Sequence, residues 1–310
     1  MKPAGSIVFF TTASGAGYGM LFWLGMLSTT GLLPATMLYG LIVLAIAMAL
    51  FTAGLLASTA HLGHPERAWR ALSQWRSSWL SREGIAAVLT YIPALLLGVA
   101  LVVDGKPMPG PALFAAAGSA VTVYCTAMIY ASLKPIRQWN HRLVPVFYLV
   151  ASGFSGALCL AAITAFFDPL AAARLGMVAL ALAAAGGAVK LAYWKAIDGS
   201  VSASTPESAT GLGGIGKVRS FESPHSDENY LLKEMGFRIA RKHAAKLRAY
   251  AAVLAFALPA AMLVGVLAGV APVAVLVVAA LCGLVGMVLE RWLFFAEATH
   301  TVVLFYGRQA

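Results

Sequence analysis

Eight stretches of this chain are apolar over roughly twenty residues or more: 6–27, 36–60, 84–103, 111–133, 143–167, 172–194, 247–270 and 272–296. A helix needs about 20 apolar residues to cross the hydrocarbon core of a bilayer. Lipid cannot satisfy the edges of an open sheet, and the strands of a membrane barrel alternate in polarity rather than run apolar. The pattern predicts an all-α integral membrane protein of about eight transmembrane helices, one polytopic domain over 1–310. Composition leaves no soluble alternative. Charged residues are 11% and hydrophobic residues 60%, against about 25% charge in a soluble domain, and such apolar content excludes disorder. Lys2 before the first stretch superficially resembles a signal peptide, but no small-residue cleavage site closes a short core, so 6–27 reads as the first helix. Thr30-Gly31, Asp104-Gly105, Pro107 to Pro111, Asp168-Pro169 and Pro272 mark turns. Pro93 and Pro259 predict kinks, and Gly15 and Gly19 predict close helix approach.

Lysine and arginine set the orientation. With both termini on one side, 19 of the 22 fall there, including Arg67, Arg70, Arg76 and Arg82 after the second span and ten from Lys190 to Arg248. Lys106 and Arg174 fall opposite, and Arg291 lies within the last span. Without the long loop the ratio is still nine to two. The N- and C-termini are therefore expected to be cytoplasmic. The net charge of +10 then lies mostly on one face, which suits anionic headgroups; no nucleic-acid module is recognisable.

Cys125, Cys159 and Cys282 stand singly in apolar runs, with no spacing for an iron–sulfur cluster, a c-type haem or a metal site. None of the six histidines (61, 64, 141, 225, 243 and 300) lies at mid-span, which argues against a b-type haem. Gly211-Leu-Gly213-Gly-Ile-Gly216 matches a dinucleotide fingerprint without the strand and helix that give it meaning. It belongs to a cytoplasmic loop, 195–246, whose 198–230 part reads as flexible linker. The following basic, amphipathic 231–248 is expected to lie on the membrane or a partner.

The loop 61–83 is the most informative. Trp69, Leu72, Trp75 and Trp79 recur at helical spacing with arginines between them, an interfacial pattern. That pattern does not account for His61 at the mouth of the second span or Glu83 at the start of the third. Ionisable groups at membrane depth are costly and usually functional. In the last span, Glu290-Arg291 lie about 28 Å from its start at 1.5 Å per residue, at the same surface as His61 and Glu83; an ion pair is the plain explanation for these two. A quinone site needs such groups beside apolar walls, because an imidazole can bond and protonate a quinone oxygen while a carboxylate relays the proton.

The residues His61-Leu-Gly63, Pro65, Arg67-Ala68 and Ser81-Arg-Glu83, with the ending Glu290-Arg291, Phe294-Phe295 and His300, resemble the membrane anchor subunit of the dimethyl sulfoxide reductase family. The resemblance implies an eight-span, haem-free anchor in the bacterial inner membrane, bound to an iron–sulfur subunit and a molybdopterin catalytic subunit that carry the metal cofactors. It implies a quinone (ubiquinone or menaquinone) held by His61, Gly63, Arg67 and Glu83, with Ser81, Glu290, Arg291 and His300 in support, and no catalytic or metal-binding residue in this chain. Arginines in the docking loop and the large 190–248 insertion look more like the related membrane subunit of cytoplasmic sulfite dehydrogenase, a sulfite:quinone oxidoreductase, with its docking face inside the cell. A quinol-oxidising dimethyl sulfoxide reductase-type anchor and a passive anchor are the near alternatives. A secondary transporter, the alternative of another class, requires ionisable groups at the midplane, which the sequence does not offer.

Overall fold

The computed structural model describes residues 3–59, 64–200, 204–219, 221–222, 243–270 and 272–306. Eight helices are long and apolar enough to span a bilayer: α1 Gly5–Leu27, α2 Met37–Thr59, α3 Trp79–Val103, α4 Pro109–Ala131, α5 Leu143–Thr164, α6 Pro169–Gly199, α7 Ala244–Leu267 and α8 Pro272–Ala296. No strand occurs among the described residues; a single antiparallel bridge joins Ile136 to His300. An even number of spans returns the described chain to the end of the bundle where it began.

Most breaks lie where turn chemistry places them. Gly31 and Gly105 adopt φ of +73° and +63°, a region open to glycine because it has no Cβ. The Asp168 side chain accepts hydrogen bonds from the Leu170 and Ala171 amides (2.9 and 3.0 Å) and caps α6 ahead of Pro169. Two boundaries differ from the hydropathy estimate by five residues. α3 begins at Trp79, five residues early, because Ser78 caps it and its charged first turns find partners. α6 runs to Gly199 because nothing breaks it sooner, and Tyr193, Trp194 and Ile197 are buried.

α1 and α5 form the interior, and α1 packs on α2, α4 and α5. Their crossing depends on Gly19 and Gly156, where a Cβ would overlap the Ser152 carbonyl and the Gly19 backbone. Gly15 differs from expectation: a Cβ there meets nothing within 4 Å, so its small size leaves a space rather than closing one. Pro259 is accommodated by a π-helical turn over Val253–Ala257, which widens the helix before a residue with no N–H to give.

Candidate functional site

The functional end of the bundle holds the start of α3, the 4–5 loop, and the ends of α4, α6 and α8. A 3₁₀ segment, Pro65–Gln74, folds back over it. Three bonds hold that segment. The Ser81 hydroxyl donates to the Ala71 carbonyl. Arg82 donates from Nε to the Trp75 carbonyl (2.9 Å) and from Nη2 to the Arg76 carbonyl (2.7 Å). Its guanidinium also lies 4.3 Å from the centre of the Trp79 ring. Trp69 and Trp75 stay exposed, as an interfacial aromatic belt requires.

Glu83, in the second turn of α3, points inward and is 4% exposed. The Thr126 hydroxyl of α4 donates to Glu83 Oε1 at 2.5 Å. Along the α3–α4 seam lies a cleft of about 900 Å³, lined not by Glu83 or Thr126 but by residues that include Trp75, Arg82, Thr90, Pro93, Phe114 and Cys125. Pro93 has no N–H to give the Leu89 carbonyl one turn earlier. Glu83 and Thr126 directly follow the cleft residues Arg82 and Cys125, so the buried carboxyl–hydroxyl pair and the cleft share one seam. The cleft walls combine aromatic rings with the Arg82 cation and the Thr90 hydroxyl.

Glu290 and Arg291 are also buried, at 0% and 3%. Arg291 Nε lies 2.7 Å from Glu290 Oε2, and Lys190 Nζ pairs with Glu290 Oε1. Counted with the cytoplasmic charges although it falls within the expected span 172–194, Lys190 lies inside α6, 3% exposed. Its ammonium sits 4.7 Å from the ring centre of Phe147 and 4.4 Å from that of Tyr193. These aromatic faces favour a desolvated cation. Lys190 thus adds a buried charge at the Glu290 end of the bundle, not the midplane charge a transporter requires, and ion pairing and aromatic rings hold it. Further out, Arg248 bonds Glu297 (2.9 and 3.1 Å) and Asp198 (2.6 and 3.0 Å). Burial pushes the Glu297 carboxyl up, against the opposing pull of Arg248.

The other expected residues separate. Arg67 is exposed on the cap, 3.6 Å from Glu66, open to a partner and away from the buried groups. His300 accepts at Nδ1 from the Val302 amide (3.0 Å) and bridges Ile136, which tethers the C-terminal segment to the 4–5 loop. His61 and Gly63 lie outside the described residues, as do 231–242 of the basic segment. The described 204–219 holds a capped helical turn, Pro206–Thr210, and Glu207 accepts from the Val218 amide (2.9 Å). Among the described residues no group of three or more His, Cys, Asp or Glu could hold a metal.

Sequence reasoning missed Thr126, Lys190 and the role of Arg82. Thr126 was findable: Ser119, Thr122 and Thr126 recur at three and four residues, a polar stripe along one face of an apolar helix.

No solved structure matches this chain. The chain is 32% identical to a sulfite dehydrogenase subunit of Allochromatium vinosum, over 99% of each protein. The family model described as DMSO reductase anchor subunit (DmsC) matches residues 2–308. With both matches spanning nearly the whole length, the chain belongs to the DMSO reductase anchor subunit family, and it is a multi-span membrane subunit of an oxidoreductase complex that also contains catalytic and iron–sulfur subunits.

Proposed function

We propose that this chain is the quinone-reactive anchor of a sulfite-oxidising molybdoenzyme in the bacterial inner membrane, with its docking face cytoplasmic. The observation that carries the reading is Glu83: a buried carboxylate, bonded to a hydroxyl, under an amphipathic cap and beside a cleft open to lipid. Ionisable groups in such positions are rarely structural decoration. Identity to a sulfite dehydrogenase subunit supports the substrate. The nine-to-two bias of Lys and Arg supports the orientation.

Sulfite oxidation with water releases two electrons and two protons. Bound quinone supplies the matching two-electron, two-proton couple. The chain's own part is to hold the ring and move protons. His61 bonds one ring oxygen and exchanges its proton near neutral pH. Glu83 relays the proton by way of Thr126, while Trp75 and Phe114 wall the cleft. Arg67 and the exposed cap meet the iron–sulfur subunit. The same residues serve a quinol-oxidising reductase in reverse, the direction the family description favours; the oxidisable or reducible substrate of the complex separates the two.

The test is quinone-linked turnover of the complete complex carrying His61→Ala or Glu83→Gln, with a soluble electron acceptor reporting on the catalytic subunit. Loss of a positioned proton donor or acceptor costs about 10²–10⁴-fold, so quinone-linked turnover should fall by that order while the soluble assay stays unchanged. Undiminished quinone-linked turnover in an assembled complex refutes the reading.

A further inference from the structure

Arg291 leaves an unusual remainder. Its Nε is taken by Glu290 and its guanidinium lies 4.1 Å from the ring centre of Tyr148. Nη1 and Nη2 are buried and, like the Tyr148 hydroxyl, lack a well-aligned hydrogen bond, although guanidinium and hydroxyl lie close enough to interact with each other. These groups border an internal cavity of about 30 Å³ between α1, α4, α5 and α8. Thr11, Ser14, Thr126, Ser152 and Ser155 bring hydroxyls to its wall among apolar groups such as Val123 and Met287, and Gly15 also lines it. A polar cavity with at least 10–15 Å³ of probe space and two or more partners holds a water, so there is room for about two.

We propose that this cavity is a built water site through which Arg291 governs how tightly Glu83 holds its proton. The inner cluster has two cations, Lys190 and Arg291, and one carboxylate, Glu290. The nearest further carboxylate beyond Lys190, Glu297, is engaged by Arg248. Arg291 reaches the cavity from α8 and Thr126 reaches it from α4, so the cation and the hydroxyl that bonds Glu83 share one small space. Thr126 is the bridge: it lines the cavity and touches Glu83. Its hydroxyl also reaches the Thr122 carbonyl at 3.0 Å. With Glu83 ionised, Thr126 donates to the carboxylate. With Glu83 protonated, the carboxyl donates to Thr126 Oγ1 and the hydroxyl turns to Thr122. In either state Oγ1 keeps a lone pair for cavity water. Tyr18 of α1, Cys125 and Tyr130 of α4, and Tyr148 of α5 are the other titratable groups within electrostatic reach of Glu83, and Arg82 precedes it on α3. None of these tyrosines or the cysteine brings a positive charge; Arg82 brings one on the cleft side of α3, and Arg291 is the cation that borders the cavity. Arg291 is thus a positioning residue. The functional weight of the site rests on the reading of Glu83 as the proton relay, but the site itself does not.

The experiment is an infrared pH titration of the protonated Glu83 carbonyl band, identified by its loss in Glu83→Gln, in the complete detergent-solubilised complex without turnover. Two variants perturb the site. Arg291→Met removes the cation. Gly15→Ala fills space, since its methyl meets no atom within 4 Å, and it favours the helix. Each should raise the Glu83 midpoint by about one pH unit, a tenfold gain in proton affinity, and Arg291→Lys should recover part of the shift. If Arg291→Met does not assemble, Gly15→Ala carries the test alone. An unmoved midpoint in assembled Gly15→Ala overturns the inference and leaves the proposed function standing. A shifted midpoint with full quinone-linked turnover in Glu83→Gln does the opposite.

Discussion

The Thr126 hydroxyl lies 2.5 Å from Glu83 Oε1 and fastens α4 to α3 at the depth where both begin to leave the membrane. Burying a carboxylate costs several kcal/mol unless hydrogen bonds compensate, and Thr126 supplies one from a helix whose other polar residues point the same way. The bond therefore explains how Glu83 is tolerated at 4% exposure.

Thr126→Val keeps the shape and removes the donor. The expected cost is about 1–3 kcal/mol, the penalty for an unsatisfied buried polar group, read as a lower unfolding midpoint of the purified complex. Thr126→Ser should stay near wild type. Equal stability of the valine and serine variants would show that the hydroxyl is not what holds Glu83.

The Lys190–Glu290–Arg291 cluster predicts an order of damage. Glu290→Gln leaves two buried cations with no carboxylate between them, a change worth about 3–5 kcal/mol. Lys190→Met leaves the neutral Glu290–Arg291 pair and an apolar chain among Phe147, Tyr193 and Trp194, so it should cost less. Comparison of folded yield and thermal midpoint checks the order, and a lysine variant worse than the glutamate variant contradicts it.

How far these features were legible follows from what each depends on. Span number depended on apolar length alone, a local property, and all eight are present. The inward placement of Glu83 and the burial of Glu290 needed to be seen from other helices, whereas the Glu290–Arg291 ion pair, between neighbours on α8, was expected from the sequence. Sequence spacing gave the depth of Glu290-Arg291 along α8 but not the partner, because Lys190 lies a hundred positions away in α6. Gly15 and Gly19 look identical along α1, at i and i+4, yet only Gly19 meets a neighbouring backbone. Neighbours of that kind come from tertiary packing.

Gly19→Ala should accordingly prevent the α1–α5 approach. Overpacking costs about 1–3 kcal/mol where side chains can yield, and here the obstacle is the Ser152 carbonyl, so the loss lies at or above that upper figure. Membrane yield and thermal midpoint of Gly19→Ala measured against Gly15→Ala check it, and indistinguishable variants contradict the packing.

Outside the spans, His141 sets a pH dependence. Partial burial and neighbouring Arg142 push its imidazole down from its ordinary value. Its Nδ1 accepts from the Leu143 amide at 3.2 Å, which needs an unprotonated nitrogen there. The unfolded chain therefore takes up the proton first. Stability is greatest above the unfolded value near about 6.5 and declines as pH falls through the lowered folded value. The thermal midpoint should drop on acidification below about pH 6.5, and His141→Asn should flatten the drop. An equally steep decline in the variant assigns the effect elsewhere.

The cap over the site offers the last prediction. Ser81 and Arg82 together reach the carbonyls of Ala71, Trp75 and Arg76, so two adjacent side chains of α3 hold the end of the 3₁₀ segment. That segment carries Arg67 and Arg70 on an exposed face, where trypsin can reach them only when the backbone is loose enough to enter a protease cleft. Ser81→Ala removes one tether and Arg82→Gln the other two. Each should speed cleavage between 67 and 76 several-fold in detergent. Arg82→Lys should fall between Arg82→Gln and wild type, because an ammonium keeps the charge without the fork that serves two carbonyls at once. The iron–sulfur subunit should protect the segment in all variants if the cap is its docking surface. Cleavage that stays fast when the partner is bound removes the cap from that interface.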